Sequence, residues 1–136
     1  MKQGLKQGKR NHIGAIGEQI ATNYLVKLNY TILDRNYLKK WGEIDIVARG
    51  MEIIKFIEVK TVSYETKQDL ELAVSHGAWR PEENVHRTKV HRLQRAIESW
   101  VVEHKYKGDW EIDVIAVRIV TRERYATVKY IPNVIL

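Results

Sequence analysis

The sequence predicts a single α/β domain ordered as helix, three strands, helix, two strands. Two long stretches, 11–29 and 82–104, repeat their apolar residues at helical spacing. Around them lie short runs rich in Ile and Val, the pattern of half-buried and fully buried strands. With 136 residues, 44% of them hydrophobic, the chain has the size and apolar content for one core.

Residues 1–12 hold Lys2, Lys6, Lys9 and Arg10 with no acid, and read as a basic flexible tail ahead of a domain spanning 13–136. Contact with phosphates and a merely solvated leader both account for it. In the first helix Ile13, Ile16, Ile20, Tyr24 and Leu28 form a core-facing stripe, and Asn29 suits its C-terminal cap. Gly14 and Gly17 weaken a helix, so their presence suggests close packing or approach to a backbone. Glu18 lies at the edge of the stripe and fits a first-turn acid equally well. Tyr30 to Tyr37 is the first strand. Lys39 and Lys40 form a basic turn before Trp41-Gly42, where the lysines can meet a phosphate and the indole can cap the core or stack on a base.

Strands 43–49 and 52–60 follow, joined by a turn expected at Arg49-Gly50. They hold three charged residues that a buried strand does not need: Asp45, Glu58 and Lys60. Side chains on a strand alternate faces, so Glu58 and Lys60 share one face above Ile54 and Phe56, while Val59 points away. A hairpin brings Asp45 close to Glu58. An unpaired buried carboxylate is costly and is therefore paired or bound to metal. Two converging carboxylates make a hard oxygen site suited to Mg²⁺, with Mn²⁺ a second candidate. Lys60 beside them can position a water or stabilise charge on a phosphate.

Residues 61–81 show no clear period and read as a long loop rimming the cleft, with His76, Trp79 and Arg80 given no role. The second helix, over 82–104, packs Val90, Leu93, Ile97, Trp100, Val101 and His104 inward. Arg87, Lys89, Arg92 and Arg95 crowd its first half, against the preference of the helix dipole; a phosphate-binding purpose and a solvated basic face both account for this. The three histidines near this helix lack metal-ligand spacing. Trp110–Val120 and Tyr125–Ile131 are the last strands, and Asp113 reads as a buried acid orienting a core lysine or arginine.

The net charge of +6 favours a polyanionic partner, although many soluble proteins are as basic. No run approaches the roughly 18 apolar residues of a membrane span. The basic N-terminus leads into no apolar run, so no secretory signal is read. The absence of cysteine excludes disulfides and thiolate zinc sites and fits a cytoplasmic protein.

Four blocks in order, Gly14-Ala15-Ile16-Gly17-Glu18, Tyr30 to Asn36, Gly42 to Ala48 and Phe56 to Thr61, resemble the YraN-like family of small bacterial endonuclease-like proteins. Lys89-x-x-Arg92-Leu93 and Ile131-Pro132-Asn133 are similar as well. An acid, about a dozen residues and then acid-x-Lys is also the restriction-endonuclease-like, or PD-(D/E)XK, pattern. The name motif's Pro is missing, as it is in many members. The resemblance covers the chain from about Asn11 onward and implies a three-layer sandwich with a mixed central sheet flanked by helices. It implies a metal-dependent nuclease, most readily acting on DNA, including branched or junction DNA. Asp45 and Glu58 would hold the metal with the Val59 carbonyl, Lys60 would serve the attacking water, and Glu18 would complete the site. Lys89, Arg92, Lys39 and Lys40 are the candidate nucleic-acid contacts. Junction resolvases of this fold act as dimers, so a homodimer is a candidate assembly. A non-catalytic nucleic-acid-binding module is the alternative, with Glu58 and Lys60 then a salt pair, and a protein-binding scaffold is a third reading.

Overall fold

The computed structural model describes residues 2–75 and 87–134. A five-stranded mixed sheet forms the middle layer, in the order β1 (Thr31–Lys39), β2 (Gly42–Gly50), β3 (Ile53–Tyr64), β4 (Trp110–Val120), β5 (Tyr125–Ile131). Helix α1 (Lys2–Lys27) covers one face and α3 (Arg87–Glu103) the other, with a short α2 (Lys67–Ser75) after β3. This is the α/β sandwich expected, with one helix more. Neighbouring strands are antiparallel except β3 and β4, which run parallel. A parallel pair needs a long crossover, and the segment carrying α2 and α3 provides it. Among the described residues no helix is long and apolar enough to cross a membrane.

Each face of the sheet has its own core. Tyr37, Ile44, Val47, Ile54 and Phe56 meet Leu93, Ala96, Ile97 and Trp100 of α3. Ile46, Ala48, Ile57, Ile115 and Val117 meet Ala21 and Leu25 of α1. Phe56 and Trp100 pack edge to face with centroids 5.5 Å apart. Ile54 and Phe56 share the α3 face while Ile57 and Val59 lie on the α1 side, the parity expected of β3.

Helix α1 begins at Lys2, so the basic segment expected as a tail is helical in backbone. The helix ends at the cap expected: Asn29 adopts φ 67°, the Tyr30 N–H donates to the Leu25 carbonyl at 3.0 Å, and the Asn29 N–H donates to Val26 at 3.0 Å.

The hairpin turn is displaced from Arg49-Gly50. It falls at Met51-Glu52, both with positive φ (55° and 67°), the geometry of a two-residue turn that matches strand twist. Gly50 is instead a strand residue pressed under the Tyr30 ring, where a Cβ would come within 2.7 Å of a ring carbon. The glycine serves close packing and not the turn.

The expected 61–81 loop is also corrected. Strand β3 continues to Tyr64, and α2 follows with Leu70 buried. The Thr66 hydroxyl accepts from the Asp69 N–H at 3.1 Å, an N-cap that the Thr66-x-x-Asp69 spacing spells in the sequence. His76, Trp79 and Arg80 lie outside the described residues, as does the 82–86 part of the second expected helix. His104, expected in the core, is exposed just past α3, where its ring stacks on Trp100 at 3.9 Å.

Asp113 is fully buried. It accepts from the Asn133 N–H at 2.8 Å and from the Tyr130 hydroxyl, and Lys55 lies 3.8 Å away. Lys55 also pairs with Glu111. The acid therefore orients a core lysine, as expected, and pins the chain after β5.

Two glycines separate packing from helix propensity. A Cβ on Gly42 would sit 1.8 Å from the Arg92 carbonyl oxygen, whereas one on Gly14 would meet nothing within 4 Å. Gly42→Ala is expected to lower stability by about 2 kcal/mol or more, and Gly14→Ala to raise it by up to about 1 kcal/mol. Urea denaturation of the two variants checks this contrast.

Candidate active site

The β2–β3 ladder runs from Gly50 opposite Ile53 to Ile46 opposite Ile57 and stops there. The next register pair would be Asp45 with Glu58. Beyond the last rung the strands part, and the Val59 N–H donates to the Asp45 carboxylate at 2.8 Å instead of to a backbone carbonyl. A side chain thus takes over a ladder bond where the sheet opens. The opening is a cleft of about 440 Å³ lined by Glu18, Glu43, Asp45, Glu58, Val59 and Lys60, with Ile13, Gly14, Thr61, Ser63 and Lys89 completing its wall.

Glu58 is buried on the α3 side and carries two lysines on one oxygen. The Lys89 ammonium lies 2.7 Å from its Oε1 and that of Lys60 lies 3.4 Å away. Lys89 stands at the start of α3, so the helix delivers a cation to the strand acid. Arg92 is on the same helix and exposed. Lys39 is committed elsewhere, 2.9 Å from Glu103 at the far end of α3, with its ammonium over the Tyr37 ring at 5.2 Å. Lys89 and Glu103 stand fourteen steps apart along α3, about 20 Å at 1.5 Å per residue. The structure therefore brings Asp45, Glu58, Lys60, Lys89, Glu18 and Val59 together and leaves Lys39 apart. Trp41, which the sequence leaves open between core cap and base platform, donates its indole N–H to the Ser99 hydroxyl at 2.8 Å and keeps part of its ring exposed.

The electrostatics follow from burial. Burial, with Glu58 next, pushes the Asp45 carboxyl up to about 8 against the Val59 hydrogen bond, which lowers it. Burial, followed by the adjacent Lys89, lowers the Lys60 ammonium below the ordinary lysine value. For Lys89 burial works the same way, but the hydrogen bond and charge of Glu58 outweigh it and raise the group. Burial raises Glu18, while Arg35 and the Asn36 amide oppose the rise.

Two acids with hard oxygens, one of them half-buried with a single N–H donor, suit a divalent cation such as Mg²⁺, which takes few protein ligands and keeps several waters. Glu18 is drawn toward Arg35 and Asn36, and among the described residues no group of three or more His, Cys, Asp or Glu gathers to hold an ion. The donor chemistry thus fits a metal held by Asp45 and Glu58 with water filling the remaining positions. Arg35, Asn36, Glu43 and Thr61 were not singled out as site residues in the sequence. An Asn inside a strand run was the one signal available.

Fold and site together define an α/β sandwich domain with an acid pair and lysines in a cleft where a central hairpin opens. A family model described as "Uncharacterised protein family UPF0102" matches residues 17–117. The chain belongs to this family, the one to which the sequence resemblance pointed. A UPF0102 protein of Mycolicibacterium vanbaalenii is 36% identical over 128 residues, covering 92% of this chain and 94% of the relative. One from Trichlorobacter lovleyi is 34% identical over 129 residues, covering 93% and 92%. A third, from Beutenbergia cavernae, is 36% identical over 126 residues, covering 92% and 97%.

The Asp45 carboxyl gives a signed pH prediction. Its folded value is raised, so its contribution to stability is full below about 3.8 and is lost as pH rises to about 8. In EDTA, Asp45→Asn removes this loss and keeps an oxygen for the Val59 N–H. Its gain in Tm over wild type is expected to grow from pH 4 to pH 8 and reach about 5 °C or more. Thermal unfolding across that range measures it.

Proposed function

We propose that this protein is a divalent-metal-dependent nuclease that hydrolyses phosphodiester bonds, with DNA as the leading substrate. The observation that supports it most is the convergence of half-buried Asp45 and buried Glu58 on one cleft beside Lys60. Asp45 and Glu58 would hold Mg²⁺ or Mn²⁺, with the Val59 carbonyl as a further oxygen. The cation, when bound, supplies Lewis acidity toward water and toward a phosphate oxygen.

The chain's own groups do the rest. Asp45 is fixed by the Val59 N–H and so presents its free oxygen in a set direction. Lys60, with a lowered proton affinity, orients the attacking water and receives or returns a proton at its Nζ. Lys89 stays cationic and offsets charge that builds on the phosphate oxygens. Exposed Arg92, on the helix of Lys89, offers a further phosphate contact, while exposed Lys40 sits in the β1–β2 turn next to Lys39. As water adds to phosphorus, the P–O bond to the leaving sugar oxygen breaks.

One observation favours the alternative of a non-catalytic nucleic-acid-binding module: Glu58 is already paired with both lysines. The two readings part in one assay. Labelled single-stranded, duplex and four-way-junction DNA, and RNA, are incubated with Mg²⁺, Mn²⁺ or EDTA. Metal-dependent cleavage by wild type is expected, with Asp45→Ala losing it and Lys60→Ala falling at least about 100-fold in kcat. Circular dichroism should show both variants folded. Salt-sensitive binding with no cleavage in any metal would select the binding module instead.

A further inference from the structure

Asn36 is, among the described residues, the only residue of positive φ inside a strand; it has φ 51°, while the others stand at turns or after helices and strands. Its register opposite is Asp45: Arg35 pairs with Ile46 and Tyr37 with Ile44, leaving Asn36 and Asp45 between. The faces of both strands reverse at this step. Tyr37 and Ile44 pack in the α3 core, yet Ile46, two residues from Ile44, packs in the α1 core. Arg35, two residues from Tyr37, reaches α1 and donates to the Gln19 side chain at 3.1 Å. Regular alternation would place each of these pairs on one face. The Asn36 carboxamide meanwhile stands near the Glu18 carboxyl and opposes the rise that burial gives it. One residue therefore sits on both acids that flank Glu58 in the cleft.

We propose that Asn36 is the positioning residue of the acid cluster: its left-handed backbone turns the β1–β2 pair so that Asp45 enters the cleft, and its carboxamide holds Glu18 at the rim. Asn tolerates this backbone better than other residues with a side chain, and glycine tolerates it best. Strain kept inside a strand beside a candidate site has a use there. The inference rests on the proposed function only in taking Asp45 as a partner of a cation and Glu18 as an acid at the rim of its site; the placement of the two acids does not require one.

Three substitutions separate the two roles. Asn36→Gly keeps the backbone and removes the amide. Asn36→Ala removes the amide and burdens the backbone. Glu18→Gln removes the acceptor charge. Without metal, the Val59 amide resonance is expected to stay in place in Asn36→Gly and to move in Asn36→Ala, because the Asp45 bond to that amide depends on the turned backbone. Stability effects of Asn36→Gly and Glu18→Gln are expected to be non-additive in the double variant. A Val59 resonance unmoved in Asn36→Ala, or additive effects in the cycle, would overturn the proposal. Mn²⁺ titration of the intact protein adds a separate readout, with Asn36→Gly expected to bind about 10-fold more weakly. A wild type that takes up no Mn²⁺ defeats the metal reading alone, because the resonance and the cycle are read without metal. A wild type that binds while Asn36→Gly binds equally well overturns the role of the carboxamide.

Discussion

The hydrogen bond from the Val59 amide to the Asp45 carboxylate joins the sheet to the site. Two central strands cannot separate in a protein interior without leaving donors unmet, and an unmet buried N–H costs about as much as a lost hydrogen bond. Asp45 removes that cost for Val59 and is fixed in return. The separation creates the cleft, and the same bond gives one wall of the cleft a carboxylate of set orientation. Replacing this rung with an ordinary backbone pair would close the sheet and withdraw the acid.

The charges around that bond balance in a particular way. Asp45 and Glu58 repel each other, and burial strengthens the repulsion because fewer waters screen it. Glu58 is compensated by Lys89 and Lys60. Among the described residues Asp45 has no ammonium at ion-pair distance, only the weaker pull of Lys89, and keeps a raised proton affinity. The cluster is thus asymmetric: one acid neutralised by lysines, the other by a proton or by whatever cation enters. The two lysines also differ, since the one nearer water is held cationic by Glu58 while Lys60 is pressed toward neutrality. Such a division gives adjacent groups of one chemical type separate tasks.

Legibility in the sequence followed how local each determinant is. Trp110–Val120 and Tyr125–Ile131 match β4 and β5 because their apolar runs are bounded by polar turns. The parity of β3, and with it the shared face of Glu58 and Lys60, follows from a period of two that nothing interrupts. The cap at Asn29 is a local signal too. The turn was misplaced because glycine marks both turns and close contacts, and only the Tyr30 ring, distant in sequence, tells which applies at Gly50. The acid cluster was legible as a list, because the parity of β3 and the hairpin order its members along the chain. The reversal of faces at Asn36 and Asp45 was not legible, because alternation is assumed when a strand is read and its breach shows only against two packed cores.

A buried carboxylate alone does not mark a site, and this protein offers its own comparison. Asp113 is more deeply buried than Asp45, yet the Tyr130 hydroxyl, the Asn133 amide and the nearby Lys55 surround it. Its partners close the cluster and leave no face toward solvent, so its work is to anchor the end of the chain and a core lysine. Asp45 has one amide donor, a second acid as neighbour and an open cleft before it. Burial raises both carboxyls, so the direction of the shift does not separate them. Completeness of the partner set does. A carboxylate surrounded by donors is finished as structure, whereas one held by a single bond beside another acid keeps an oxygen open, the feature on which the proposed hard-cation site rests.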